Sequence, residues 1–173
     1  MLQREIQEAL ASDDIDVILD GLAALKGERD VPPTKAVAAA CERLIGHSDP
    51  EVRAGAIAAA GIHWAIPGLF TSILNAARCD DDMDVRVVGV RALTRYADAR
   101  KDEVCRVLAA MVKQESRADL RAVAYKGLLA AEGRLTPGER AAMPEDIDAL
   151  DIDTELLRRW TRSPTDGEQP SRE

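Results

Sequence analysis

Apolar and polar positions follow helical spacing along most of the chain, and one phrase returns four times. Ser12–Leu25 reads SDDIDVILDGLAAL, Ser48–Gly61 reads SDPEVRAGAIAAAG, Asp81–Leu93 reads DDMDVRVVGVRAL and Ser116–Leu128 reads SRADLRAVAYKGL. Aligned on an apolar anchor, Val17, Val52, Val85 and Leu120, the copies stand 35, 33 and 35 residues apart. Five positions after the anchor stand Leu22, Ile57, Val90 and Tyr125. Eight positions after it stand Leu25, Ala60, Leu93 and Leu128. Four positions after it the residue is always small: Gly21, Ala56, Gly89, Ala124. Offsets of 0, 4, 5 and 8 share one face of an α-helix, so each phrase predicts a helix with one buried stripe and a slot for close approach.

A second amphipathic helix precedes each phrase, at about Leu2–Ala11, Thr34–Gly46, Pro67–Cys79 and Lys101–Glu115. Apolar residues recur there at helical spacing, as in Val37, Cys41, Leu44 and Ile45, or Val104, Leu108, Met111 and Val112. Pro33, Pro50 and Pro67 suit first-turn positions, and Gly27, Gly46 and Gly133 suit helix ends. Helix pairs of this size bury their apolar faces only by stacking on neighbours. The expected fold is all-α, a right-handed α-solenoid (an alpha-alpha superhelix) of four helix pairs at about 1–30, 31–65, 66–98 and 99–132. Residues 133–162 are expected to cap it with two short helices, Thr136–Met143 and Asp153–Thr161, turning Leu156, Leu157 and Trp160 inward. The acid-apolar run Glu145–Asp153, EDIDALDID, reads as a solvated connector, or as an arm presenting acid to a basic partner. Residues 163–173 are polar and unpatterned, as a disordered tail would be.

Composition sharpens this reading. Alanine supplies 29 of the 173 residues, and only five are aromatic: Trp64, Phe70, Tyr96, Tyr125 and Trp160. Alanine favours helices, while the residues that favour strands are scarce, which argues against a sheet-built enzyme. The net charge of −8 is uneven: −5 over residues 1–30, +1 over 31–132 and −4 over 133–173. No basic footprint stands out, which argues against a nucleic-acid partner. No apolar run approaches a bilayer span, and the first residues lack the apolar core of a signal peptide. Cys41, Cys79 and Cys105 are odd in number and lack C-x-x-C spacing, so they read as core thiols in a reducing, cytoplasmic setting.

The D-x-x-V-R phrase followed by a small residue and leucine resembles a HEAT repeat of the bacterial kind, also seen in phycobilisome lyases. The resemblance covers about residues 1–132 and is strongest at Asp49–Gly61 and Asp82–Leu93. It implies a ladder in which the aspartate three before the anchor meets the arginine one after it in the next repeat. The aspartate slot holds Asp14, Asp49, Asp82 and then Arg117, while the arginine slot holds Ile18, Arg53, Arg86 and Arg121. The ladder would pair Asp14 with Arg53, Asp49 with Arg86 and Asp82 with Arg121.

Catalytic residues, metal ligands and cofactor sites are not expected. His47 and His63 share no helix face, no His-Glu dipeptide occurs, and no nucleophile elbow or phosphate-binding loop is present. The acidic runs at Asp13–Asp16 and Asp80–Asp84 lack the spacing of a calcium loop and suit helix N-termini. The resemblance implies a concave face lined by the second helices. Offsets 2, 6 and 10 then place Ala54, Ala58 and Ile62 on it, followed by Val87, Arg91 and Arg95, and by Ala122, Lys126 and Ala130. Partner-binding candidates are Arg91, Arg95, Lys126, His63 and Trp64, the tryptophan either anchoring a partner at the rim or packing between repeats. The expected function is a non-enzymatic scaffold that binds another protein. The alternatives are a bilin-lyase-like chromophore-handling subunit and an immunity or inhibitor protein against a basic toxin. A DNA glycosylase of HEAT-like fold is disfavoured by charge and by the few aromatics.

Overall fold

The computed structural model describes residues 3–28 and 32–162, and among these there are helices and turns but no strand. The expected tail at 163–173 lies outside the described residues. The chain divides into two compact units, Met1–Ala99 and Arg100–Glu173.

The first unit holds α1 (Gln3–Leu10), α2 (Ile15–Gly27), α3 (Lys35–Ile45), α4 (Pro50–Ile57), α5 (Phe70–Cys79) and α6 (Met83–Leu93). Helix α1 packs on α2, α3 on α4 and α5 on α6. The first helices also touch in order, α1 to α3 to α5, as do the second helices, α2 to α4 to α6. Three pairs therefore stack as two layers, the arrangement of an α-solenoid.

Each second helix starts where the sequence supplies a cap. The carboxylates of Asp14, Asp49 and Asp82 accept backbone N–H groups of their own first turns, from Asp16, from Glu51 and Val52, and from Asp84 and Val85. The expected stripe is buried in α4 and α6: Val52, Ala56, Ile57 and Ala60, then Val85, Val90 and Leu93. The small slot is needed. A Cβ on Gly21 would stand 2.8 Å from Ala9 Cβ, and one on Gly89 would stand 2.9 Å from Ala77 Cα and N. At these two places a second helix rests directly on the first helix of its own pair.

The first repeat departs from the alignment. Val17, the expected anchor, is 41% exposed, and Ile18 is buried in its place beside Leu22 and Leu25. The reason lies in the stacking. A Cβ on Gly55, three places after Val52, would stand 3.1 Å from Leu22 and 3.7 Å from Leu19 of α2. That side of a second helix turns back toward the preceding repeat, and α2 has no preceding pair among the described residues. Ile18, in the arginine slot, is buried instead of Val17, while Gly21, Leu22 and Leu25 keep their expected places.

Helix α4 widens beyond Ile57 into a π-helical turn, Ala58–His63. The turn buries Gly61 so closely that a Cβ would meet Ala92 at 2.7 Å and Ile73 at 2.9 Å. It closes at Ala65, whose φ of 45° is left-handed, with Ala65 N–H donating to Gly61 O and Ile66 N–H to Ala60 O. A 3-10 turn, Pro67–Leu69, then leads into α5, so that helix starts at Phe70 rather than Pro67.

Helix α7 (Ala97–Gln114) breaks at Arg100, where φ is −139° and ψ is 40°, and the break marks the division into units. The second unit continues with α8 (Ala118–Ala131), α9 (Pro137–Ala142), a 3-10 turn (Ile147–Ala149) and α10 (Thr154–Thr161). Gly133, with φ of 73°, ends α8, and Thr136 opens α9 with a capping box completed by Glu139.

The run Glu145–Asp153 is neither a free connector nor an arm. Ile147 and Leu150 are buried, the turn packs on α8, and the Tyr125 hydroxyl donates to Asp151 O at 3.0 Å while accepting from Asp153 N–H at 2.8 Å. Leu156 and Leu157 turn inward, whereas Trp160 is only half-buried. The largely buried Glu132 carboxylate ties the unit together, meeting Lys101 at 3.3 Å and Arg159 at 3.0 Å.

Candidate partner-binding face

The arginine slot of the repeat acts differently from the expected ladder. Arg53 meets Asp80, not Asp14. Its Nε and Nη2 donate to the two carboxylate oxygens at 2.9 and 2.7 Å, and its Nη1 donates to the carbonyls of His47 and Ser48 at 3.0 Å each. The pair is largely buried, with 15% of the Arg53 side chain and 9% of the Asp80 side chain exposed. Burial pushes the Asp80 carboxyl up, but the hydrogen bonds from Arg53 and from the Asp82 amide, with the Arg53 charge, hold it below its ordinary 3.8.

The aspartates of the expected pairings cap their own helices. All three guanidinium nitrogens of Arg53 are taken by Asp80, His47 and Ser48 rather than by Asp14. Asp82 and Arg121 each find a partner inside their own unit: Asp82 caps α6, and Arg121 Nε donates to Val112 O at 2.9 Å. Arg86 Nε reaches the corresponding carbonyl, Ala77 O, at 3.4 Å.

The acid that meets Arg53 lies five residues before the anchor, and that slot has a job of its own. It holds Ser12, His47, Asp80 and Glu115. In every repeat its side chain accepts the backbone N–H two residues on: Asp14 to Ser12, Asp49 to His47, Asp82 to Asp80 and Arg117 to Glu115, at 2.9 to 3.1 Å. These Asx-like turns set the entry into each second helix. This slot was missed in the sequence, and an acid two residues before the capping aspartate was the available signal.

The face of α2, α4 and α6 turned away from the first helices carries small and apolar residues. Leu19, Ala54, Ala58, Ile62 and Val87 are half-buried, and Ala23 is exposed. Arg91 and Arg95 are exposed on α6 and the turn that follows it, and Arg95 Nε donates to Ile62 O at 3.1 Å, a carbonyl of the π-helical turn. His63 is exposed in that same turn. Trp64 is half-buried, and its indole N–H donates to Leu25 O at 3.1 Å, one of the carbonyls left open at the end of α2. The tryptophan therefore packs between repeats.

Lys126 belongs to the second unit and is half-buried on α8. There Ala122, expected on an inner face, is fully buried, one of seven buried residues of α8, on which the C-terminal segment also packs.

Cys41 and Cys105 are buried, and burial pushes both thiols up to about 11, with the Glu132 charge adding to the effect at Cys105. Cys79 is exposed. Among the described residues no group of three His, Cys, Asp or Glu side chains is placed to hold a metal ion, and no helix is long and apolar enough to cross a membrane.

The family model for HEAT repeats matches residues 37–129, more than half of the chain. The chain is a HEAT repeat protein. The match runs from the middle of the first layer, in α3, to the end of α8, and so includes the second to fourth copies of the phrase. No curated protein and no solved structure matches the chain. In this HEAT array the Arg53–Asp80 pair, the capping aspartates and the turn acceptors fix the entries into the second helices.

Proposed function

We propose that this HEAT repeat protein is a non-enzymatic scaffold that holds a partner protein on the inner face of its second helices. HEAT repeats are in general protein-interaction scaffolds. The observation that carries the reading is the half-exposed strip of small and apolar residues along α2, α4 and α6, with Arg91, Arg95 and His63 beside it. Small side chains let a partner's own large residues come close to the helix backbones, where most binding energy concentrates. Lys126 and Trp64 are not needed for this face.

Affinity capture with the full chain tests the reading. Ala23 is exposed on the inner face and Ala39 is exposed on α3 in the outer layer. Ala23→Arg is expected to lose the captured partner with no change in melting temperature, and Ala39→Arg to keep it. Retention of the same partner by both variants would overturn the inner-face assignment.

A further inference from the structure

The inner face carries its charges in two rows. The first turns of α2, α4 and α6 hold Asp16, Glu51 and Asp84, and all three are exposed. The later turns hold Lys26 at the end of α2, Arg91 near the end of α6 and Arg95 just past it. Acid at helix starts and base at helix ends suit the helix dipoles. For anything that approaches the face, however, the result is an apolar floor with a negative bank along one side and a positive bank along the other.

The dimensions fit one kind of occupant. Neighbouring helices pack about 8–10 Å apart, so a strip crossing three of them is roughly 20–30 Å long. A helix of about 14–20 residues covers that length at 1.5 Å per residue. The floor is built from alanines, Leu19, Ile62 and Val87, which suits a row of apolar side chains arriving on one helix face.

Resting on the scaffold reading, we propose that the partner contributes an amphipathic α-helix laid across α2, α4 and α6. Its apolar stripe sits on the floor. Basic side chains on one flank face Asp16, Glu51 and Asp84, and acidic side chains on the other flank face Lys26, Arg91 and Arg95. A uniformly basic segment would be drawn by the net charge of −8, but it would meet the positive bank. Complementary banks discriminate against such partners more than they add affinity.

Three labelled 18-residue helical peptides test this by fluorescence anisotropy against the full chain. They share one leucine stripe and differ only in their flanks: lysine on one side and glutamate on the other, lysine on both, or glutamate on both. The mixed peptide is expected to bind at least tenfold tighter than either uniform one. Arg91 is exposed, so Arg91→Glu is expected to keep the melting temperature while moving the preference to the all-lysine peptide. Glu51→Lys is expected to move it to the all-glutamate peptide. Tightest binding of the all-lysine peptide by the unaltered chain would show bulk charge at work and overturn the proposal, as would equal binding of all three or binding of none. In each of those cases the Ala23→Arg capture comparison still decides the scaffold reading separately.

Discussion

The pair between Arg53 and Asp80 gives the sharpest test of how this array holds together. Arg53→Ala removes two charge-assisted hydrogen bonds to the carboxylate and two to loop carbonyls. It leaves the Asp80 side chain, only 9% exposed, with the Asp82 amide as its remaining donor. Stranding one charge of a buried pair costs about 3–5 kcal/mol. The residual exposure of Arg53 and the surviving amide bond place the loss near the lower limit, about 3 kcal/mol. Arg91 is exposed and serves as the control, with Arg91→Ala expected within about 0.5 kcal/mol of the parent.

Urea unfolding followed by tryptophan fluorescence measures the difference. A Trp160→Phe background leaves Trp64 as reporter of the first unit. The midpoint should fall with an unchanged slope. Acid supplies a second arm. Asp80 is held below its ordinary 3.8 in the fold, so the pair's contribution is fully present above that value and is lost as pH falls through the folded value. The gap between Arg53→Ala and the parent should stay constant from pH 7 to 5 and close below about pH 4. A loss under about 1 kcal/mol, the range of exposed pairs, would refute the reasoning, and so would a gap that does not narrow as pH falls below the ordinary carboxylate range.

Three further outcomes follow from the same geometry. Gly89→Ala drives a Cβ into the Ala77 backbone, and overpacking of about 1–3 kcal/mol exceeds the roughly 1 kcal/mol gained in helix propensity. Thermal melts should show it destabilised, while Gly27→Ala, with no atom within 4 Å of the new methyl, should be neutral or slightly stabilised. Tyr125→Phe removes the hydroxyl that bridges Asp151 and Asp153; it should cost about 1–2 kcal/mol, with hydrogen exchange rising first in residues 147–157. Ala65→Gly relieves a left-handed alanine and should stabilise the first unit by about 1 kcal/mol, read as a raised midpoint in the same urea assay.

The stripe of each second helix was legible because burial on one side of a helix writes a period of 3.6 into the sequence, and Gly21 and Gly89 were legible because no larger residue fits there. The slip at Val17 was not, because an isoleucine stands beside it in the arginine slot and either residue continues the apolar stripe. The ladder was hidden for another reason. Capping and pairing both call for an aspartate near the start of a second helix, and sequence does not say which carboxylate Arg53 reaches. The turn slot varies from Ser12 to His47, Asp80 and Glu115 because any acceptor closes the turn, so Asp80 as a pairing acid does not stand out. The π-helical turn leaves no mark either, since Ala58, Ala59 and Ala60 suit an α-helix equally well.

The same logic separates the parts of the candidate face. A residue off the buried stripe is free to report on a partner only if no other element covers it, and coverage is a tertiary fact. Ala54 and Ala122 hold the same offset in their repeats, yet one is half-exposed and the other fully buried. In the second unit Ile147 and Leu150, which a pattern of alternating acids had marked as solvated, are buried and their turn packs on α8. Tyr125 is what fixes them: its ring fills a stripe position where other repeats place Leu22, Ile57 or Val90, and its hydroxyl reaches past the stripe to hold the returning chain. An aromatic with a polar tip at a position otherwise aliphatic thus marks α8 as the helix on which the returning chain packs.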